Sequence, residues 1–225
     1  MSNTPLKRFR NWKRAFKDTG GIDIVTAKGR RRAAWHNHLI DFAFFRRRWT
    51  NLHRVADGVW RSNQPGRNRY GQFQELGLKT IINLRGQQHF ASVQFEQEAC
   101  DAQGITLLHM NLLAGRLAEG QEYVRLLELM EAAEKPLLIH CKSGADRTGL
   151  ASALYLLDQG LAPIDEAKKQ LSFKFLHWKI AETGVLDALL EAYETDINTC
   201  AMPIREWLTT RYDRAAIAAG FRAWV

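Results

Sequence analysis

Short apolar runs alternate with longer amphipathic stretches through residues 55–225 of the chain. The short runs, rich in Val, Ile and Leu, predict strands over residues 59–61, 80–84, 106–112 and 136–140. The longer stretches predict helices that end near Leu76 and then span about residues 89–103, 118–134, 147–159, 163–176, 183–197 and 203–219. Gly77 and Gly104 follow two of these helices, where a left-handed residue commonly ends a helix. The alternation predicts an α/β fold, with a mainly parallel central sheet of about four to five strands flanked by helices.

The first 54 residues, which we call the N-terminal arm, show a different pattern. Their large apolar residues recur at spacings of four and three, as on one face of a helix: Trp35, Leu39, Phe42, Phe45 and Trp49. Arginine triplets at residues 30–32 and 46–48 bracket this face. Two interpretations stay open: contact with an anionic membrane through residues 30–49, or packing of this helix on the rest of the chain with its arginines solvated. Ile40 and Phe44 widen the apolar face, which favours packing of this helix on the rest of the chain.

The distribution of charge supports a division at residue 54. The chain has 225 residues and a formal net charge of +8. Residues 1–54 carry 14 basic and three acidic residues, a net +11, whereas residues 55–225 carry a net −3. We therefore divide the chain into a basic helical arm, 1–54, and one domain, 55–225. The arm implies an anionic partner, but no nucleic acid is expected, because no zinc-finger, RNA-recognition or basic-zipper motif accompanies the charge.

Composition narrows the class of protein. Hydrophobic residues make up 46% of the chain, enough to form a packed core. Three cysteines without a Cys-x-x-Cys pair predict neither a disulfide framework nor a zinc site, and we expect no metal or other cofactor. The longest apolar runs have about five residues, against about 20 needed to cross a bilayer, and the N-terminus lacks the apolar core of a signal peptide. We expect a cytoplasmic protein, at most peripheral on the inner membrane.

The segment His140–Gly149, with the sequence HCKSGADRTG, joins the last predicted strand to the next helix. Such a junction directs backbone N–H groups and the positive end of a helix at one point, which suits a phosphate dianion. We call residues 141–147 the phosphate loop. Gly144 and Gly149 let the backbone turn tightly and approach the ligand. The candidate phosphate-binding residues are Lys142, Ser143, Gly144, Ala145, Asp146 and Arg147.

Cys141 is the candidate nucleophile of this loop. The positive electrostatic potential that binds phosphate also stabilises a thiolate, so we expect the pKa of Cys141 to lie below its ordinary value. A thiolate beneath a phosphate is placed for in-line attack on phosphorus, and Arg147 offers two parallel donors to phosphoryl oxygens. A cysteine six residues before an arginine is a weak signal alone, although neither Cys100 nor Cys200 has one. The complete string between a strand and a helix is far more specific.

This string resembles the signature of the cysteine-based protein tyrosine and dual-specificity phosphatase superfamily, which forms a cysteinyl-phosphate intermediate without metal. Residues 59–65, VWRSNQP, resemble the Tyr-Arg-Ser-x-Gln-Pro opening of the atypical branch found in bacteria, fungi and plants. Residues 82–85, INLR, resemble the end of that branch's second strand, and only this likeness suggests that Arg85 faces the site. The resemblance covers about residues 55–195, and not the arm or the last 30 residues.

The resemblance implies a dual-specificity-phosphatase-like fold and a role for each matching residue. Cys141 would be the nucleophile and Arg147 the clamp on the transition state. Thr148 would donate a hydrogen bond to the sulfur and help it leave, and His140 would orient the loop. A histidine after an apolar strand is also commonly a satisfied polar group of the core, and both statements can hold for His140.

The general acid departs from the common pattern of this superfamily. Most members supply an aspartate from a loop before the signature strand, but residues 110–119 contain no aspartate and only one carboxylate, Glu119. Asp146 matches the Asp-Arg-Thr-Gly loops of bacterial and myotubularin-like enzymes, in which this aspartate is thought to donate the proton. We therefore expect Asp146 to be the acid. The alternative is that Asp146 only pairs with Arg147 or another base.

Substrate preference follows less directly from the residues. Lys142 resembles the lysine in the Cys-Lys-x-Gly-Lys loop of the phosphatase-and-tensin lipid phosphatase, but Ala145 replaces the second lysine. Lys174, His177 and Lys179 are interpreted as a second basic rim or as a solvated helix face. Lys142, the basic arm and its aromatic face together favour a phospholipid or lipid-linked phosphate at a bacterial inner membrane.

Other functions stay open at this point. The substrate could instead be a phosphotyrosine protein or an inositol polyphosphate, and a module that binds phosphorylated ligands without turnover is the main rival to an enzyme. A rhodanese-type sulfurtransferase also uses a cysteine loop, but the Arg-Thr-Gly continuation disfavours it. Whether Cys100 lies close enough to Cys141 to form a disulfide depends on distance in the fold.

Overall fold

The computed structural model describes residue 24, residues 26–31 and 33, and residues 49–86 and 91–221. The aromatic face predicted over residues 35–49 lies outside these ranges except for Trp49. Among the described residues, none of the helices combines the length and the apolar composition that a membrane crossing requires.

Five short strands form one sheet in the order β1-β2-β5-β3-β4. β1 pairs antiparallel with β2, and the other neighbours are parallel, which confirms the predicted α/β class. The strands are β1 (His53–Ala56), β2 (Val59–Ser62), β3 (Thr80–Asn83), β4 (Thr106–His109) and β5 (Leu137–His140). The last residue of β5, His140, lies beside Ser62 on β2 and Asn83 on β3. Three strands therefore end together, directly before Cys141.

Helices cover both faces of the sheet. They are α1 (Tyr70–Glu75), α2 (Ala91–Asp101), α3 (Gly120–Ala132), α4 (Asp146–Asp158), α5 (Ile164–Lys168), α6 (Val185–Thr199), α7 (Ile204–Thr210) and α8 (Arg214–Gly220), with 3-10 turns at Arg67–Arg69, Phe173–Phe175 and Glu182–Gly184. Gly77 and Gly104 have φ values of +64° and +63°, as expected after a helix. The predicted positions of α1, α2, α3, α4 and α6 are confirmed to within a few residues.

Two helix predictions are wrong in part. The helix expected over residues 163–176 ends at Lys168, because the carbonyl of Gln170 accepts a hydrogen bond from the buried Arg61 instead of continuing a helix. The helix expected over residues 203–219 is two helices, because the Asp213 side chain accepts a hydrogen bond from the backbone N–H of Ala216 at 2.9 Å and so begins α8.

The alternation of side chains along β5 builds a core on each face of the sheet. Leu137 and Ile139 join the larger core with Cys141, whereas Leu138 joins the smaller core with Cys100. Burial raises the pKa of Cys100 to about 12, with nearby Glu96 acting in the same direction. Cys100 and Cys141 are thus both unpaired thiols, in cores on opposite faces of the sheet.

Part of the arm contacts the domain. Arg30 donates two hydrogen bonds to the Glu98 carboxylate on α2, at 2.7 and 2.6 Å, and Ala33 packs with Ala91 and Phe95. The boundary drawn at residue 54 falls inside β1, whose His53 pairs with Arg61 of β2. The division into arm and domain, and membrane contact through residues 30–49, stay proposals.

Candidate active site

Cys141 lies at the carboxyl end of β5 and is almost completely buried. The phosphate loop follows, and α4 begins at Asp146, so the N-terminus of a 13-residue helix points at the loop. Burial acts to raise the pKa of Cys141, but the charge of Arg147 and hydrogen bonds from the Thr148 hydroxyl and backbone N–H outweigh it, and the pKa is lowered. The thiol is therefore prepared to ionise at the base of the loop.

Three carbonyl groups of the phosphate loop are held by donors outside it. The carbonyl of Lys142 accepts from the Gln64 backbone N–H at 3.2 Å, and the carbonyl of Ser143 accepts from the Asn51 amide at 3.2 Å. The carbonyl of Gly144 accepts from the Arg61 guanidinium at 2.7 Å. Because the N–H and C=O of a peptide point in opposite directions, holding these carbonyls outside leaves the N–H groups free to converge on a phosphate.

Gly144 is required by the backbone of the loop. Its φ is +73°, and a Cβ there would lie 2.6 Å from the backbone carbon and oxygen of Ser62. Gly149 has a different role from the one expected, because a Cβ there would lie 2.7 Å from the carbonyl oxygen of Gln170. Gly149 thus permits the segment after α5 to pack closely on α4, and Gly144 alone shapes the loop.

Arg61 is a fully buried cation behind the loop, and sequence reasoning gave it no role. Its guanidinium bonds Gly144 and Gln170 and lies 3.7 Å from the centroid of the Phe175 ring. Burial lowers the pKa of Arg61 to about 9, and the nearby Cys141 acts in the opposite direction. In the sequence, the place of Arg61 within the strand motif of residues 59–65 was the feature that could have indicated its role.

The His140 ring lies against the buried carboxylate of Glu96. Its Nε2 lies 2.8 Å from Glu96 Oε1 on α2, and its Nδ1 lies 3.0 Å from the Cys141 carbonyl oxygen. Glu96 Oε2 also accepts hydrogen bonds from Asn83 and Gln64 at 3.0 and 3.3 Å. Sequence reasoning missed Glu96, which appeared as an ordinary helix residue. The network fixes the residue before Cys141 and so the start of the loop.

Arg147 and Thr148 lie in the first turn of α4, next to Cys141. The Nη1 of Arg147 donates to the Leu112 carbonyl at 3.3 Å, which ties the arginine to the segment where the common general-acid loop would lie. Glu119, in that same segment, forms an ion pair with Arg214 at 2.9 Å and is mostly exposed. Glu119 is therefore a surface residue paired with Arg214.

Asp146 pairs with a base, and the base is His177. The distance from Asp146 Oδ1 to His177 Nδ1 is 2.8 Å, and His177 Nε2 lies 2.7 Å from Asp187 Oδ2. His177 is buried, so it belongs to the interior and not to an exposed basic rim. Lys179 forms an ion pair with Glu191, and Lys174 lies 5.3 Å from the centroid of the Phe175 ring.

Arg85 contacts the loop indirectly. Its guanidinium donates to the side-chain oxygen of Gln64, whose backbone N–H holds Lys142. The structure therefore gathers the predicted residues Cys141 to Thr148 at one point and adds Arg61, Glu96, His177 and Asp187 around them.

Comparisons with known proteins agree with this architecture. The curated relative TpbA of Pseudomonas aeruginosa (strain PAO1), a dual specificity protein phosphatase, is 30% identical over 108 residues, which are 47% of this chain and 45% of TpbA. The chain thus matches less than half the length of this relative.

Solved structures show the same fold at low sequence identity. A DUF442 protein of Shewanella putrefaciens CN-32 aligns with a TM-score of 0.54 and 17% identity, over 66% of this chain and 91% of its own. The core catalytic domain of the PP-IP phosphatase Siw14 from S. cerevisiae, in complex with citrate, aligns with a TM-score of 0.52 and 18% identity, over 69% and 97%. At this identity the likeness concerns the fold alone.

A family described as a DSP-PTPase phosphatase fused to NAD+ kinase matches residues 47–181, more than half of the chain. The match contains the five-stranded sheet, the phosphate loop and His177. The chain therefore belongs to this DSP-PTPase family of phosphatases.

Proposed function

We propose that this chain is a metal-independent phosphomonoester hydrolase that works through a cysteinyl-phosphate at Cys141. The observation that carries the proposal is a buried thiol of lowered pKa at the N-terminus of α4, beneath loop peptides whose carbonyls are held outside the site. The Cys141 sulfur attacks phosphorus as the bond to the leaving oxygen breaks, and the loop and Arg147 stabilise the transferring group. Water then attacks phosphorus, the P–S bond breaks, and phosphate leaves.

Asp146 is proposed as the group that protonates the leaving oxygen. It lies directly before Arg147 in the first turn of α4, and its side chain is 21% exposed although Oδ1 is occupied by His177. Within the described residues, Oδ2 has no hydrogen-bond partner, so this oxygen can face a bound phosphate ester. Protonation of the leaving oxygen matters most for alkyl phosphates, whose alkoxides are poor leaving groups.

A phospholipid or lipid-linked phosphate is the proposed substrate, because an apolar patch lies beside the loop. We define this patch as Phe173, Leu176, Trp178 and Ile180, which are 64%, 43%, 53% and 62% exposed. Phe173 and Trp178 contact each other edge to face, with ring centroids 5.0 Å apart. Large exposed apolar patches commonly mark membrane or protein contact.

The apolar patch is fixed to the site. The Asn51 amide bonds both the Ser143 carbonyl of the loop and the Phe175 carbonyl within the patch segment, each at 3.2 Å. His177, in the same segment, contacts Asp146. A surface that accepts the apolar patch would therefore bring lipid headgroups close to the loop, and the basic arm would add attraction to anionic lipid.

A phosphoprotein is the second candidate substrate. The curated relative TpbA is named a dual specificity protein phosphatase, and a cysteine-to-serine form of TpbA in complex with phosphotyrosine shares the fold with a TM-score of 0.50 and 19% identity. The two candidates differ in whether turnover depends on a membrane.

Replacing Trp178 with serine tests the lipid substrate. Phosphate release would be measured in EDTA on vesicles that contain a phosphatidylinositol phosphate, on its soluble headgroup, on a phosphotyrosine peptide and on an aryl phosphate. We expect the ratio of vesicle to aryl turnover to fall about tenfold in Trp178→Ser, since removing a large apolar side chain weakens membrane contact by about 1.5–3 kcal/mol.

Leu161→Ser is the matched control, because Leu161 is 56% exposed but follows the far end of α4. Its ratio should equal that of the unchanged chain. Equal ratios in both variants, with the phosphotyrosine peptide as the preferred substrate, would contradict the lipid assignment and support the phosphoprotein.

A further inference from the structure

His177 is clamped between two carboxylates from two helix N-termini. Asp146 in the first turn of α4 lies 2.8 Å from Nδ1, and Asp187 in the first turn of α6 lies 2.7 Å from Nε2. The histidine side chain is 1% exposed, and those of Asp146 and Asp187 are 21% and 13% exposed. Both ring nitrogens are therefore donors when the imidazole is protonated, and each has a carboxylate acceptor.

The surroundings keep the imidazole protonated at neutral pH. Burial acts to lower the pKa of His177, but the hydrogen bonds to Asp146 and Asp187 and their charges outweigh it, and the pKa is raised to about 9. Asp146 and Asp187 are the charged groups that face the ring from α4 and α6, while Lys174 and Lys179 of its own segment contact the Phe175 ring and Glu191. A buried proton thus lies one hydrogen bond from Asp146.

The backbone turns His177 inward while its neighbours face outward. Leu176 has φ +60°, and the N–H of His177 bonds the Ser172 carbonyl at 3.1 Å. Leu176 and Trp178 are exposed on either side of the buried histidine. The segment therefore presents the apolar patch to the outside and His177 to Asp146.

We propose that His177 is a positioning residue that holds Asp146 and stores the proton that Asp146 passes to the leaving oxygen, with Asp187 as its counter-charge. The inference rests on the proposed function, in which Asp146 is the acid. As the P–O bond breaks, the Nδ1 proton of His177 moves to Asp146 and passes from Asp146 to the leaving oxygen, which leaves the imidazole of His177 neutral. When water attacks the cysteinyl-phosphate, the proton it releases returns to the Asp146–His177 pair.

The proton that reaches the leaving oxygen is stored on His177. The Asp146–His177 pair therefore keeps one transferable proton at pH values below about 9, where the raised pKa of His177 lies, and loses it above that value. The inference therefore predicts an alkaline limit that belongs to His177 and concerns only substrates that need a proton.

His177→Gln tests this on two substrates, an alkyl phosphate and an aryl phosphate whose leaving group needs no proton. The quantity measured is kcat/KM, which includes the formation of the cysteinyl-phosphate. We expect the alkyl value to fall about 10²-fold at neutral pH, and the aryl value to change little. The alkaline fall for the alkyl phosphate, near pH 9 in the unchanged chain, should be absent from His177→Gln, because it belongs to His177. Asp187→Asn should move the fall to lower pH, because Asp187 raises the pKa of His177.

His53→Gln is the matched control, since the His53 ring contacts Phe175 edge to face at 5.1 Å and His53 has no contact with Asp146. Its leaving-group dependence and pH profile should equal those of the unchanged chain. An unchanged ratio of alkyl to aryl kcat/KM in both His177→Gln and Asp187→Asn overturns the inference. If His177→Gln loses both activities because the fold is disturbed, an unchanged ratio in Asp187→Asn alone overturns it.

Asp146→Asn separates this inference from the function on which it rests. If Asp146→Asn keeps the full alkyl rate, the assignment of Asp146 as the acid fails, and the inference falls with it. If Asp146→Asn loses the alkyl rate but His177→Gln keeps it, Asp146 is the acid and only the role of His177 is wrong.

Discussion

Cys141→Ser is expected to abolish phosphate release, with a loss of about 10⁴-fold or more. The reason is that Cys141 ionises readily in the field of Arg147 and Thr148, whereas a serine hydroxyl in the same place does not. The loop backbone does not depend on the sulfur, so the variant should still bind a phosphorylated ligand. Turnover of an aryl phosphate in EDTA and binding of inorganic phosphate by calorimetry measure the two properties separately.

Cys200→Ser is the control for this variant. Cys200 is exposed, and it lies at the C-terminal end of α6. The turnover of Cys200→Ser should match that of the unchanged chain. Substantial turnover by Cys141→Ser would mean that another group attacks phosphorus, whereas tight phosphate binding with no turnover by the unchanged chain would favour a binding module.

Arg147→Lys should lower kcat by about 10³-fold although the charge is kept. Arginine offers two parallel donors to the phosphoryl oxygens, and lysine offers a point charge on a flexible chain. The guanidinium is also tied to the Leu112 carbonyl at 3.3 Å, a contact that fixes its direction. Steady-state kinetics on an aryl phosphate measure the loss.

The rate of alkylation of Cys141 distinguishes the effect of the arginine's shape from the effect of its charge in Arg147→Lys. Because a lysine also stabilises a nearby thiolate, alkylation of Cys141 at neutral pH should change much less than kcat does. Arg125→Lys, on the exposed side of α3, should change neither rate. Equal losses of alkylation and turnover in Arg147→Lys would show that the arginine acts only by lowering the pKa of the thiol.

The part of the site that is contiguous in sequence could be predicted from the sequence. Three consecutive apolar residues, Leu137 to Ile139, predicted β5. The string that follows leaves the loop few conformations, because a strand, a cysteine, a glycine and a helix succeed one another within ten residues. Cys141, Arg147 and Thr148 lie within eight residues, so no long-range contact had to be known to place them together.

The roles of the surrounding residues could not be predicted, because these residues are distant in sequence and charged. Arg61, Glu96 and Asp187 come from β2, α2 and α6, His177 comes from the connection between two 3-10 turns, and the polarity of each is typical of a surface position. Their burial is compensated by polar partners that are distant in sequence, such as the Gly144 carbonyl for Arg61, His140 for Glu96 and Asp187 for His177. The error at residues 163–176 has the same cause, since the carbonyl of Gln170 bonds an arginine about 110 residues earlier.

Trapping the covalent intermediate tests the central claim most directly. A radiolabelled aryl phosphate, mixed with the protein in EDTA and quenched within the first turnover, should leave one phosphoryl group on the protein, and peptide mapping should place it on Cys141. The label should be absent from Cys141→Ser and should decay at the rate of turnover. Turnover that proceeds with no labelled Cys141, or that requires a divalent metal, would contradict the account.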